Sequence, residues 1–211
     1  MNMLVLTLIV ITSSFAYNKK QIDLNKIMAI KGGNTFTYKS IKKTSFLGWK
    51  ATHLGGVNPR FGKIYYKDAT VLVGNGKIID ASIIIDMSGL IVEGMSKGEA
   101  EELAEHLKST DFFNVKKHPI SKFELTKIEA LKGKYNSKVI GNLTILGVTK
   151  NIVFKANINV SEKEVSIKSE KFSINREDWG LTYHAKGAAG VPLDYLISDD
   201  IEFVIGVIVA K

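Results

Sequence analysis

The chain has 211 residues, 45% of them hydrophobic and 24% charged, which is enough apolar material for one sizeable core. It has no cysteine, which excludes disulfides, thiolate metal sites and cysteine nucleophiles. Its net charge of +8 comes from lysines placed singly or in pairs with acids between them, and only Arg60 and Arg176 are arginines; a basic arm or an arginine-aromatic face for nucleic acid is therefore excluded.

The N-terminus carries an export pattern. Met3 to Ile11 is apolar apart from Thr7, and Ser14 and Ala16 are small residues two apart, as signal peptidase requires. The run is too short to span a bilayer as a mature helix. Residues 1–16 are thus predicted to be a signal peptide, and the chain periplasmic or secreted. Residues 17–33 are a mixed, lysine-rich leader ending at Gly32-Gly33, and 34–211 form the folded domain.

From Asn34 onward strands dominate. Thr35 to Tyr38 and Phe46 to Thr52 are β-favouring, and Gly55, Gly56 and Pro59 then break the run. Phe61 to Tyr66 and Ala69 to Val73 are predicted as two short strands. Gly74-Asn75-Gly76 is a hairpin signal and not a phosphate loop, because no Gly-Lys-Ser/Thr and no helix follow it. Ile78 to Asp86 is the next strand. Ser96 and Glu99 make a capping box, and Ala100, Leu103, Ala104 and Leu107 repeat at helical spacing, which predicts one helix over 96–108. Further strands are predicted at Lys122 to Ile128, Lys138 to Leu146, Asn151 to Val160, Val165 to Ile174 and Ile201 to Ala210, with a long loop from Gly180 to Pro192. Consecutive strands joined by short turns pair antiparallel, and closing such a sheet into a barrel removes its exposed edges.

Signals for catalysis are poor. His53, His106, His118 and His184 are scattered, none four residues from another, so no metal site is expected. Aromatics are the informative class: Phe36, Tyr38, Phe46, Trp49, Phe61, Phe112, Phe113, Phe123, Phe154, Phe172, Trp179 and Tyr183 are spread over most strands. They either fill a barrel or line a tunnel through it.

The order of three motifs resembles the YceI-like family of bacterial lipocalin-like proteins. The first runs through Ile85-Asp86-Met87-Ser88, Leu107 to Val115, and His118-Pro119-Ile120-Ser121-Lys122-Phe123; the second is Gly141 to Lys150; the third is Ile174-Asn175-Arg176-Glu177-Asp178-Trp179-Gly180-Leu181. The resemblance covers residues 34 to 211. It departs at Asn175, where the family often has Asp, and near His53 and Gly55, where the family's following Thr is missing. The resemblance implies an extended eight-stranded antiparallel lipocalin-like barrel with one covering helix. It also implies an apolar tunnel that holds a polyisoprenoid chain, an isoprenoid quinone or a prenyl phosphate, for transport, storage or stress protection.

The sequence reading is therefore a non-catalytic binding module with no cofactor beyond its lipid. The twelve aromatics are its tunnel candidates, and Arg176 and Lys186 its head-group candidates on charge and loop position. The apolar runs Ile83 to Ile85 and Ile201 to Val209 need cover on two faces, which the helix, a homodimer contact and a lumen lipid can each supply. Transient contact with a membrane surface is compatible with the charge. Two alternatives stand beside this reading: a filled barrel acting through its surface as a stress or interaction protein, and a barrel isomerase or cyclase using Glu124 or His184 inside the lumen.

Overall fold

The computed structural model describes residues 34–211, so the signal peptide and leader expected over 1–33 lie outside the described residues. Eleven strands form one sheet: β1 (Thr35–Tyr38), β2 (Ser40–Ile41), β3 (Phe46–Ala51), β4 (Arg60–Gly74), β5 (Lys77–Glu93), β6 (Ile120–Ala130), β7 (Ser137–Ile145), β8 (Val148–Val160), β9 (Glu164–Ser169), β10 (Phe172–Asn175) and β11 (Asp200–Ala210). Eight of them close a ring in the order β4-β3-β11-β9-β8-β7-β6-β5, with β5 pairing back to β4. Every pairing in the ring is antiparallel. The other three strands extend the wall: β1 lies against the last residues of β4, and β2 and β10 lie against the two ends of β11.

The β4–β5 hairpin turns on Asn75 (φ 51°) and Gly76 (φ 72°), two left-handed residues in succession, as a tight hairpin turn requires. Here the structure is simpler than the sequence suggests. The two short strands predicted either side of Lys67-Asp68 are one strand of 15 residues. Register shifts at Ile64/Tyr66 and Tyr66/Asp68 absorb the polar pair without ending the pairing, and they reset which residues face inward. In the opposite sense, the strand predicted from Val165 to Ile174 is two strands, because β11 changes partner from β9 to β10 along its length.

The helix α1 (Lys97–Lys108) starts where its capping box predicts: the Ser96 side chain accepts from the Glu99 backbone N–H, and the Glu99 carboxylate accepts from the Ser96 backbone N–H at 3.1 Å. Its apolar stripe of Ala100, Leu103, Ala104 and Leu107 turns onto the core, and the helix packs on β5. Following directly on β5 and leading by a connector into β6, it sits at one end of the barrel. This is the helix end; the Asn75–Gly76 turn marks the opposite, hairpin end.

Candidate functional site: an apolar tunnel

Strand alternation builds the site. On β3, Leu47, Trp49 and Ala51 face the lumen; on β11, Ile201, Phe203, Ile205 and Val207 do the same. Ile83 and Ile85 on β5 also line the lumen, and the intervening Ile84 points to the other face. Equivalent positions on β4 and β6 to β9 complete a tunnel whose accessible wall is wholly apolar. It runs from Ile78, Ile128 and Ile158 at the hairpin end to Leu107, Phe112, Phe113, Leu181 and Ile197 at the helix end.

The tunnel is long and narrow. Its cavity volume is about 130 Å³. An apolar cavity of this scale stays dry and accepts apolar molecules in preference to water.

Few polar groups reach the wall. The Tyr66 hydroxyl donates to the Phe46 carbonyl at 3.0 Å, and burial pushes its phenol well above its ordinary value. Trp49 and Arg176 belong to the helix end, whereas Ser121 and Tyr66 both pair with Ile85, midway along β5. Trp49 lies two residues before the end of β3, and Arg176 follows β10. The Trp49 indole N–H is buried and has no hydrogen-bond partner among the described residues. The hairpin end of the lining carries isoleucines.

Arg176 is 2% exposed and spends its donors on backbone. Nε donates to the Ser198 carbonyl at 3.0 Å, Nη1 to Leu181 at 2.5 Å and Tyr183 at 3.0 Å, and Nη2 to Ile197 at 3.2 Å. Four of the five N–H groups of a guanidinium are thus used on the loop that closes the helix end. Burial draws its pKa down, while the charges of Asp199 and Glu177 oppose this. Asn175, at the family-divergent position, accepts from the Glu177 backbone N–H at 2.9 Å and so caps the short helical turn Arg176–Trp179.

Six of the twelve aromatic candidates line the tunnel: Trp49, Phe112, Phe113, Phe123, Phe154 and Phe172. The others lie elsewhere. Phe36 and Phe61 are exposed, and Phe46 faces outward beneath the Lys63 ammonium. Tyr38 is buried and donates to the Ser161 carbonyl, while Trp179 donates its indole N–H to the Leu143 carbonyl at 3.1 Å. Tyr183 packs on Phe112 at 4.9 Å, forming part of a seam between the helix end and the closing loop. Of the head-group candidates, Arg176 reaches the tunnel wall, and Lys186 stands exposed on the loop outside it. Glu124 faces away and pairs with Lys122 at 3.0 Å, and His184 stacks on Tyr183 outside the lining. Tyr66, Phe203 and the aliphatic lining were not among the candidates; the alternation of β6, β7, β8 and β11 carries the aliphatic signal, and the β4 register shift conceals Tyr66.

A family model described as the YceI-like domain matches residues 38–208. The chain belongs to the YceI-like domain family. Among curated relatives, a UPF0312 protein of Pseudomonas putida is 30% identical over 159 residues, covering 73% of this chain and 79% of that protein. The YceI protein of Campylobacter jejuni is 26% identical with a TM-score of 0.52, over 76% of this chain and 89% of that one. A domain from Saccharophagus degradans, described as a polyisoprenoid binding domain implicated in plant cell wall breakdown, superposes with a TM-score of 0.57 at 12% identity, over 83% and 99% of the two chains. Within the family match, the Phe123 ring of the first motif rests on Gly141, which opens the second.

Proposed function

We propose that this YceI-like barrel is a non-catalytic binding module for one long apolar amphiphile of the polyisoprenoid class, such as an isoprenoid quinone or a prenyl phosphate. The observation that carries the reading is the tunnel's polarity: an apolar bore along the barrel whose few polar residues lie at the helix end and midway, with only aliphatic residues at the hairpin end. That gradient suits a molecule with one polar end and a long hydrocarbon tail. Tail burial contributes about 25 cal/mol per Å² of apolar surface removed from water, so affinity needs few polar contacts. The description of the Saccharophagus domain as polyisoprenoid-binding supports the ligand class. A hydrolytic or isomerising site would need a titratable group that can reach the ligand. Glu124 and His184, the residues the sequence offers for that role, lie outside the lining. The apolar stretch at Met3 to Ile11 with Ser14 and Ala16 supports an exported protein.

The experiment is organic extraction of the protein purified from its native host, followed by mass spectrometry. A quinone or prenyl phosphate present at about one per chain is the expected result. An empty extract, with no tight binding when such lipids are added back, would overturn the reading in favour of a barrel that acts through its surface.

A further inference from the structure

Two loops at the helix end expose apolar side chains together. Residues 52–59 present Leu54 (36% exposed) and Val57 (52%), and residues 180–199 present Leu193 (77%) and Tyr195 (56%). They form one unit. The Leu54 N–H donates to the Leu196 carbonyl at 2.7 Å, His53 Nδ1 donates to the Asp194 carbonyl at 2.6 Å, and His53 and Ile197 form a β-bridge. Between Ala185 and Tyr195 the side chains are alanine, valine, proline, leucine and tyrosine, interrupted only by glycine and by Lys186 and Asp194. A soluble surface does not ordinarily leave such residues clustered at loop tips.

We propose that this collar inserts into the surface of a lipid bilayer and so joins the tunnel to the membrane; the proposal rests on the lipid-binding reading above. Three observations favour a bilayer over a protein surface. First, the collar is continuous with the tunnel: Ala51, Leu181 and Ile197, which border or belong to the same two loops, line its wall. Second, the exposed apolar side chains come from two joined loops at the tunnel's rim, so that a single insertion would bring both into a fluid apolar layer. Third, the same loop exposes Tyr195 and Lys186, and tyrosine and lysine are side chains that place an apolar body in the hydrocarbon and a polar tip at the head groups. The same loop meets the helix end through the Tyr183–Phe112 contact, so a collar drawn toward the bilayer pulls directly on the seam over the tunnel.

The test is flotation of the full chain with phosphatidylcholine vesicles, with and without phosphatidylglycerol, in low and high salt. Thermal unfolding of each variant is recorded in parallel. Binding that persists in high salt is expected, because insertion is apolar. Leu193→Asp should lower the partition coefficient about tenfold or more and Val57→Ser by a smaller factor, with little shift in Tm because both residues are more than half exposed. The variants should also slow transfer of a prenyl lipid between vesicles while keeping their bound lipid. No vesicle binding by the natural chain, or equal binding by the variants, overturns the proposal, as does concentration-dependent dimerisation that the same substitutions abolish. Flotation needs no cargo, so the two readings fail separately. An empty tunnel with vesicle binding removes only the ligand reading, and a filled tunnel without it removes only the collar.

Discussion

Arg176 Nη1 donates to the Leu181 carbonyl at 2.5 Å, and this contact ties the end of β10 to the loop that closes the tunnel. The same guanidinium holds Tyr183, Ile197 and Ser198 by their carbonyls. The arginine of the third motif is therefore a loop clamp with one N–H remaining, not a free cation awaiting a head group. Replacing it by methionine keeps volume but leaves buried carbonyls without donors. Arg176→Met should cost about 3–5 kcal/mol in urea unfolding. Arg176→Lys should recover only part of this, because an ammonium is a point donor and not a planar fork. Hydrogen exchange over 180–199 should accelerate in both. Unfolding curves that coincide with the natural protein would remove the clamp.

A second prediction concerns the glycine that opens the second motif. A Cβ built on Gly141 would lie 2.2 Å from Phe123 Cζ and 2.7 Å from the Glu124 carbonyl oxygen. The ring of a tunnel-lining residue thus rests directly on the backbone of the neighbouring strand. Gly141→Ala must displace either Phe123 into the bore or β6 from β7, at a cost of about 1–3 kcal/mol. Both a lower Tm and a lower content of co-purifying lipid are expected. Unchanged lipid content with an unchanged Tm would show that the wall yields more freely than this contact implies.

Much of this architecture is legible in the sequence, and the exceptions have specific causes. Ser96 and Glu99 announced the helix because their reciprocal bonds are local. Asn75-Gly76 announced the longest hairpin because its left-handed backbone restricts the residue type. The continuous β4 was hidden, since a bulge that carries Lys67-Asp68 looks in sequence like a turn. The tunnel was half legible. Aromatic residues mark both faces of a barrel alike, so Phe46 and Phe61 entered the candidate set beside Trp49. Their faces are fixed by alternation from Leu47, Trp49 and Ala51, which needs the strand's register and not only its composition. The role of Arg176 was not legible at all, because its four acceptors are main-chain carbonyls that any sequence would provide.

A third prediction follows from the helix cap. The Ser96 hydroxyl and backbone bond the Glu99 carboxylate and hold its pKa below the ordinary 4.5. A depressed folded-state pKa stabilises the fold above the unfolded value, and that contribution is lost as pH falls through the lower folded value. The helix should therefore loosen only on the acid side of the ordinary carboxylate range. Ser96→Ala should cost about 1 kcal/mol at neutral pH, and the difference from the natural chain should shrink as Glu99 protonates. Denaturation midpoints measured across this range decide it. A constant difference down to the most acidic pH would show that the carboxylate takes no part in the cap.

The hairpin end of the tunnel yields the last prediction. Ala81 lines the bore four residues into β5, on the hairpin-end side of Ile83 and Ile85, and pairs with Val71 across the β4–β5 ladder. It is small where its neighbours in the lining are isoleucines, so it leaves room for the far part of a chain. Ala81→Phe places a ring in that space and leaves Trp49 and Arg176 at the helix end untouched. Because the ring enters an existing cavity, the stability cost should stay at or below about 1–3 kcal/mol. If the tail reaches the hairpin end, the variant should retain short prenyl ligands and reject long ones, which mass spectrometry of lipids retained from a mixed-length series reads directly. A parallel loss at every chain length would instead place the polar end of the ligand at the hairpin side, and an unchanged length profile would mean that the tail stops short of Ala81.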